Sequence, residues 1–224
     1  MKRYFLPLAL TAALAGPPPH AAAAPLDQAI SAVAQQWAHI NYQLPPGRQA
    51  AAFGALVKQE SALAARYPGR AEPLIWRGIT LSSLAGVEGG LHALELVKEA
   101  RRDLRASLKI DPTALQGSAD TSLGALYDKV PGWPLSFGND RKAEGYFRKA
   151  LQIDPRSIDA NYFYGDFLYG KHHYAQALAA LRRALAAPPR PGRPLADQGR
   201  RQQILALMAK IRAHGGGVLT STER

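Results

Sequence analysis

Apolar residues recur at steps of three and four along most of the chain, which is the spacing of one face of an α-helix. The first series consists of Leu26, Ile30, Val33, Trp37 and Ile40. Proline and glycine end it at residues 45–47, and they end a second series at residues 68–69. No segment of useful length alternates with the period of two that a half-buried strand requires. The pattern therefore predicts an all-α fold without a sheet.

The remaining apolar series predict a succession of helices that continues almost to the end of the chain. Their approximate ranges are 73–85, 91–110, 113–129, 140–153, 158–169, 174–187 and 194–214. The first two helices, within residues 24–68, are expected to form an N-terminal capping hairpin. Residues 192–214 are expected to form a C-terminal capping helix, because an uncovered repeat face is an aggregation surface. The Gly-rich, polar residues 215–224 predict a disordered tail.

Residues 158–191 fit a helix-turn-helix repeat of 34 residues. Gly165 stands where the two helices of such a unit approach closely, and Ala177 follows it after twelve residues, as the pattern requires. Pro189 closes the unit, because proline has no amide proton and its ring clashes with the preceding turn. The segment therefore resembles the tetratricopeptide repeat.

Two related units precede this repeat, and both are longer than the pattern. Gly124 and Ala143 are nineteen residues apart instead of twelve, and Gly78 and Ala100 are twenty-two apart. A single repeat cannot bury its apolar face, whereas three stacked repeats can. Residues 69–191 are therefore predicted to form three tetratricopeptide-like repeats, the first two expanded. The expected architecture is a short right-handed superhelix between the N- and C-terminal capping helices.

The first residues have the features of a cleavable secretory signal peptide. Two basic residues precede an apolar run over residues 4–15, and the alanines at 21–24 offer an Ala-x-Ala cleavage site. Cleavage after Ala24 would place Pro25 beside the scissile bond, so residues 1–23 are predicted to be removed. An uncleaved N-terminal anchor is the alternative, but the apolar run is shorter than the ~20 residues of a typical membrane-spanning helix.

The amino-acid composition of the chain narrows the cell compartment in which the protein is expected and the classes of partner that it is expected to bind. The chain has no cysteine, which excludes disulfides, thiolate metal sites, a cysteine nucleophile and a lipid-modified cysteine. A cleavable signal without a later apolar run of about 18 residues indicates a periplasmic protein with no membrane span. Removal of residues 1–23 leaves 26 basic against 17 acidic side chains, a net charge of +9. After export, the expected partners are anionic proteins, membrane surfaces or cell-wall polymers, and no nucleic acid.

An insertion over residues 130–140 departs most from the repeat pattern and contains the first candidate binding residues. Its prolines and glycines favour tight turns, and Trp133 and Phe137 are large aromatics outside a helix. One interpretation is a lid or rim that offers both rings, with Asn139 and Asp140, to a ligand on the concave face. The alternative is that the rings pack between helices, and that Asn139-Asp140 simply begin the next helix.

Two further groups of candidate binding residues follow. Asn161, Tyr162 and Asp166 are assigned to the groove side of the helix over 158–169, with ordinary core packing as the alternative. The other group is a basic patch that could bind an acidic protein or anionic lipid headgroups. Its members are Arg182, Arg183, Arg200 and Arg201. The alternative interpretation is that these arginines form a solvated helix face without a partner.

Motifs of catalysis and metal binding are not found in the sequence. It contains no HExxH, GxSxG, GxGxxG or P-loop pattern. His172 and His173 are adjacent in a predicted turn, so their side chains diverge and do not form the i, i+4 pair that holds zinc on a helix. The sequence predicts that the protein is not an enzyme and uses no metal or cofactor. A cell-envelope hydrolase is the less favoured alternative.

Four phrases look like those of a family of secreted proteobacterial tetratricopeptide proteins. They are Glu-Pro-Leu-Ile-Trp at 72–76, Ser-Leu-Gly-Ala-Leu-Tyr at 122–127, Pro-Gly-Trp-Pro at 131–134 and Asn-Tyr-Phe-Tyr-Gly-Asp-Phe at 161–167. The chain is more distantly similar to the T-component proteins of tripartite ATP-independent periplasmic transporters, which also have expanded repeats. A turn like that at residues 138–143 precedes a helix in those proteins.

The resemblance implies an all-helical periplasmic protein whose concave face or pore engages a solute-binding protein, and it leaves a homo-oligomer open. Together with the residues themselves, it favours a non-catalytic periplasmic scaffold that binds a protein partner or a small ligand on its concave face. An accessory role in periplasmic solute transport is the alternative.

Overall fold

The computed structural model describes the backbone of residues 19–220 and the side chains of residues 25–213. Helices follow one another along this part of the chain, and no strand interrupts them. They are α1 (Pro19–Gln43), α2 (Pro46–Arg66), α3 (Ala71–Glu88), α4 (Gly90–Ile110), α5 (Ala114–Lys129), α6 (Asp140–Ile153), α7 (Ile158–Gly170), α8 (Tyr174–Leu185) and α9 (Pro194–Thr220). The predicted all-α fold is confirmed. Residues 1–18 of the predicted signal peptide lie outside the described residues.

Three helical hairpins form the centre of the fold, with α3 packed on α4, α5 on α6, and α7 on α8. In each hairpin a glycine of the first helix faces a large side chain of the second, and there is no room for a Cβ atom. Such an atom would lie 2.6 Å from Leu104 at Gly78, 2.7 Å from Phe147 at Gly124 and 2.9 Å from Leu181 at Gly165. The three glycines therefore occupy equivalent positions, and the tetratricopeptide-like repeat fold is confirmed.

The two expanded repeats accommodate their additional residues differently. In the first, α3 and α4 contain 18 and 21 residues, against 13 and 12 in α7 and α8, so most of the additional residues lengthen the helices. Gly89 and Gly90 join α3 to α4 in a tight turn with φ angles of 66° and 68°, which favour glycine. In the second, the additional residues form the loop between α5 and α6.

The two ends of the helical array meet. The last helix, α9, packs on α7 and α8 and also contacts α1, which packs on α2 and α3. Tyr42 of α1 lies against Gly199 of α9, where a Cβ atom would overlap the tyrosine ring. The Tyr42 hydroxyl also donates a hydrogen bond of 3.5 Å to Gln203 Oε1. The array therefore closes into a ring through its first and last helices.

The C-terminal helix is longer than the pattern of apolar residues indicates. It extends to Thr220, so the backbone of residues 215–220 is helical where the sequence predicts a disordered tail. Extending an existing helix costs less than starting one, which allows α9 to continue through its glycines. Residues 221–224 lie outside the described residues. Within residues 19–220, no helix is both long and apolar enough to cross a membrane.

A buried polar cluster joins α2 to α3. The Glu60 side chain is fully buried, and its Oε1 accepts a hydrogen bond of 2.7 Å from the Thr80 hydroxyl. Its Oε2 has no partner among the described residues. The neighbouring Arg77 donates two hydrogen bonds of 2.7 Å to Asp103 instead. Burial raises the pKa of Glu60 to about 8, so this carboxyl is mostly protonated at neutral pH.

Candidate ligand-binding cavity

The closed ring surrounds a cavity of about 1210 Å³. Its wall is built by the inward sides of α1, α3, α4, α5 and α7, by Arg200 of α9, and by the segments that follow α5, α6 and α8. Pockets that hold small ligands usually measure about 300–1,000 Å³, so this cavity is large enough for a small molecule. The concave face of the array is therefore a deep cavity.

Much of the cavity wall is apolar, with hydroxyl groups among the apolar side chains. Trp37 and Trp76 lie on the side of α1 and α3, together with Ile79, and α7 contributes Phe163. The Trp37 indole nitrogen donates a hydrogen bond of 2.9 Å to the Ser83 hydroxyl, which also belongs to the wall. Burying apolar surface is favourable by about 25 cal/mol per Å², so this wall suits a ligand with a large apolar part.

One end of the cavity carries a charged cluster that we define as Asp159, Arg190, Arg193, Asp197 and Arg200. Asp159 of α7 accepts hydrogen bonds of 2.6 Å from Arg190 Nη1 and from Arg200 Nε. Arg190 also donates to Asp197, through its Nε at 2.7 Å and its backbone amide at 2.8 Å. These bonds join α7 to α9 and to the segment before α9, so they help to hold the ring closed.

The charges within the charged cluster determine how its members ionise. Burial alone would raise the pKa of Asp159, but the positive charges of Arg200 and Arg190 outweigh this and hold the pKa well below its usual range. For Arg193, in contrast, burial and repulsion by Arg190 outweigh the attraction of the nearby carboxylates and lower the pKa. Asp159 is therefore a stable anion, whereas the charge of Arg193 is incompletely compensated.

Aromatic rings lie next to the charged cluster. The guanidinium carbon of Arg193 is 5.1 Å from the centre of the Trp76 ring, and the Trp76 and Trp37 ring centres are 6.2 Å apart. The guanidinium carbon of Arg200 is 4.5 Å from the centre of the Tyr162 ring. A cation over an aromatic face is electrostatically stabilised. The charged end of the cavity is thus continuous with an aromatic wall.

The two aromatic residues predicted to form a rim do not line the cavity. Trp133, in the loop between α5 and α6, is 89% exposed. Phe137 packs against Tyr127 with ring centres 5.3 Å apart, and the guanidinium carbon of Arg101 lies 4.0 Å from the centre of its ring. Phe137 therefore anchors the loop, as its alternative interpretation expects, whereas Trp133 faces solvent.

Asn139 and Asp140 lie where α6 begins. The Asn139 side chain accepts a hydrogen bond of 2.9 Å from the Lys142 backbone amide, so it caps the helix. Asp140 forms an ion pair of 2.6 Å with Lys171, between α7 and α8. Both residues stabilise local structure, and neither belongs to the cavity wall.

None of the three residues assigned to the groove side of α7 lines the cavity itself. Asn161 is fully buried, and its side chain bonds to backbone carbonyls of the preceding turn and to Arg183. Tyr162 packs under the charged cluster, and Asp166 forms an ion pair of 2.7 Å with Lys129. The residues of α7 that line the cavity are Ile158, Asp159 and Phe163. Tyr162 and Asp166 fall within the same sector of the helix, whereas Asn161 lies outside it.

The four arginines of the predicted basic patch do not share one exposed surface. Arg182 is exposed, Arg183 bonds to a side chain of α7, and Arg200 is buried in the charged cluster. Arg201 donates hydrogen bonds of 2.5 and 2.7 Å to backbone carbonyls at and beyond the end of α8. Two of the four therefore stabilise the packing of α9.

Sequence reasoning assigned Arg200 to a basic patch but did not predict the charged cluster at the end of the cavity. Asp159 and Arg200 form an ion pair although they are 41 positions apart, and no local pattern indicates such a pair. Arg193 lies in a proline-rich connection that is typical of an ordinary loop. Trp37 and Trp76 are recognisable as helix-face aromatics, but only the packing of α1 on α3 brings them to a shared wall.

The charged cluster is better suited to binding an anion than a cation. Both carboxylates of the charged cluster are paired with arginines, which occupies the oxygens that a cation would need. Within residues 25–213, no group of three or more histidine, cysteine, aspartate or glutamate side chains is placed to hold a metal ion. The charged cluster therefore presents arginine donors, and no free carboxylates, to the cavity.

Comparisons with known proteins agree with this architecture. Residues 136–211 match the model of the tetratricopeptide repeat family. The fold is similar to the crystal structure of a thermophilic TPR protein from Thermus thermophilus, with a TM-score of 0.54 and 16% identity over 84% of this chain and 94% of that chain. A comparison with curated proteins finds no match. The chain therefore contains tetratricopeptide repeats, which generally form non-catalytic scaffolds for protein interaction.

Proposed function

We propose that this protein is a non-catalytic periplasmic scaffold that holds a small ligand in its central cavity. The observation that carries the proposal is the closure of the ring through α1 and α9, which surrounds a cavity of about 1210 Å³. The apolar wall favours an organic molecule, because a concave site with few polar groups can bury most of such a ligand.

A protein partner is expected on the outer surface of the ring. Trp133 exposes 89% of its area there, and tryptophan is enriched among the residues that dominate protein interfaces. The periplasmic location rests on residues 1–23, which have the features of a signal peptide, and cleavage is expected after Ala23.

Filling the cavity tests the proposed function. The full chain is produced in a bacterial host and recovered from a periplasmic extract, where its mass should correspond to residues 24–224. The neutral apolar dye Nile red should bind this protein at one molecule per chain with a rise in fluorescence. Ala125→Trp adds an indole to the cavity wall from α5, and it should weaken Nile red binding by about tenfold or more.

Ala179→Trp is the matched control, because Ala179 is exposed on α8 and does not belong to the wall. This variant should bind Nile red as the wild type does, and circular dichroism should show equal helical content in all three proteins. Absence of Nile red binding by the wild type, or equal binding by Ala125→Trp, would contradict the proposed function.

An accessory role in periplasmic solute transport is the second candidate function. It is favoured by the cavity at the centre of the ring, since the resemblance to T-component proteins implies a concave face or pore. The partner in that case is a periplasmic solute-binding protein. A transporter gene beside the gene for this protein would support the role, and a neighbourhood without transport genes would count against it.

A further inference from the structure

The charged cluster has one positive charge more than its carboxylates neutralise. Its guanidinium groups belong to Arg190, Arg193 and Arg200, and its carboxylates belong to Asp159 and Asp197. Asp159 pairs with Arg190 and Arg200, and Asp197 pairs with Arg190. Among the residues whose side chains are described, none forms an ion pair or a side-chain hydrogen bond with Arg193. Arg193 is therefore the guanidinium of the cluster without a directly bonded carboxylate, although Asp159 and Asp197 attract it from a distance.

Burial makes the unpaired state of Arg193 unfavourable. Its Nε is buried without an acceptor among residues 25–213, and the indole nitrogen of Trp76, the ring beside Arg193, is in the same state. A buried donor without an acceptor costs free energy, and a charged donor costs more. Both side chains belong to the cavity wall. Arg193 is half-buried as a whole, so a ligand that carries a negatively charged acceptor would meet the accessible part of this side chain and offset part of the cost.

The other cations of the wall differ from Arg193. Lys129 forms ion pairs of 2.8 and 2.7 Å with Asp128 and Asp166. Arg156 has no ion pair among the described residues, but it is exposed, so water and salt screen its charge. Arg193 is therefore half-buried and has no carboxylate partner, and it lies beside the aromatic part of the wall.

We propose that the cavity binds an organic monocarboxylate with a long apolar body, whose carboxylate lies on Arg193. The inference rests on the proposed function and adds the chemical class of the ligand. A guanidinium group can donate two parallel hydrogen bonds to a carboxylate, and one excess charge matches one carboxylate. The apolar body would lie against Trp76, Trp37 and Ile79, which extend from the charged end along the wall.

Competition with Nile red tests the ligand class. Dodecanoate, dodecan-1-ol and dodecyltrimethylammonium share one chain length and differ in the charge of the head group. Each is added below its micellar concentration. With the wild type, dodecanoate should compete at a concentration about tenfold lower than dodecan-1-ol, because hydrogen bonds to charged groups are the stronger ones. Dodecyltrimethylammonium should compete least well.

Substitution of Arg193 should remove this preference. Arg193→Gln should weaken competition by dodecanoate by about ten- to a hundredfold, and competition by dodecan-1-ol by much less, because the alcohol carries no charge for the guanidinium to meet. Arg193→Lys keeps the charge without the two parallel donors, so its affinity for dodecanoate should be intermediate. If Arg193→Gln does not fold, the affinity of Arg193→Lys for dodecanoate tests the role of Arg193 instead.

Arg156→Gln is the matched control, because it removes an exposed arginine from the same wall. It should change the affinity for dodecanoate by less than about threefold. Equal losses in Arg156→Gln and Arg193→Gln would overturn the inference, since the effect would then follow net charge alone.

Equal competition by dodecanoate and dodecan-1-ol in the wild type would also overturn the inference. The proposed function would survive that result, because binding of neutral Nile red reports the cavity itself. Failure of Nile red to bind the wild type would contradict the proposed function, and the inference with it.

Discussion

Asp159→Asn should lower the free energy of unfolding by about 3 kcal/mol in urea denaturation at pH 7. The carboxylate accepts hydrogen bonds of 2.6 Å from both Arg190 and Arg200. Asparagine keeps the shape but not the charge. Arg200, whose side chain is only 8% exposed, then loses its carboxylate partner, and Arg190 keeps only Asp197. The expected loss lies at the lower end of the range for a broken buried ion pair, because the Asp159 side chain lies at the cavity wall and is 25% exposed.

The effect of Asp159→Asn should depend on pH in a defined direction. The folded-state pKa of Asp159 lies below the unfolded value of about 4, so its stabilising contribution is present above pH 4 and is lost as the pH falls further. The difference in stability between wild type and variant should therefore shrink in acid.

Glu144→Gln is the control for this substitution. The pair between Glu144 and Arg148 is largely exposed on α6, with an N–O distance of 2.7 Å, and should contribute less than about 1 kcal/mol. If both variants lose the same stability, the charged cluster does not hold α7, α9 and their connection together.

Glu60→Gln should remove a pH dependence of stability that the wild type shows between about pH 4.5 and pH 8. Burial raises the folded-state pKa of Glu60 to about 8, whereas the unfolded chain releases this proton near 4.5. The stabilising effect is therefore fully present below pH 4.5 and is lost as the pH rises through 8. Glu60 should contribute a slope of at most about 1.4 kcal/mol per pH unit.

Urea denaturation at pH 5 and pH 8 measures this contribution. The glutamine side chain has nearly the same volume and can accept the hydrogen bond from Thr80, so the variant should match the wild type at pH 5 and exceed it at pH 8. Burial also raises the pKa values of Asp103 and Asp120. Both residues titrate in the wild type and in the variant, so their contributions to the pH dependence cancel in the comparison. Parallel pH profiles would contradict the burial of an ionisable Glu60.

The helices and their pairing were predictable because their signals are local. Asn139 caps α6, and the apolar and small residues that follow it are spaced as the repeat requires. The helix therefore spans residues 140–153, as predicted. Gly165 and Ala177 are likewise separated as two closely packed antiparallel helices require. Such signals depend on neighbours within a few helical turns.

The cavity was not predictable in detail because it depends on contacts between distant segments. Contact between α1 and α9 closes the ring, and the partners of Asp159 lie 31 and 41 positions away. Trp133 and Phe137 show that the same holds within one loop. Both are large aromatics among prolines and glycines, so the sequence does not distinguish which of them packs against the protein. Only Phe137 meets neighbours that hold it, namely Tyr127 and Arg101.

The most direct test of the ligand cavity is a crystal structure of residues 24–224 grown with dodecanoate. We expect α1 to contact α9 beside Tyr42 and Gly199, and the carboxylate of dodecanoate to lie within about 3 Å of the Arg193 guanidinium. Its alkyl chain should extend along Trp76 inside the ring. A superhelix whose two ends stay apart, or dodecanoate bound only outside the ring, would contradict the proposed cavity.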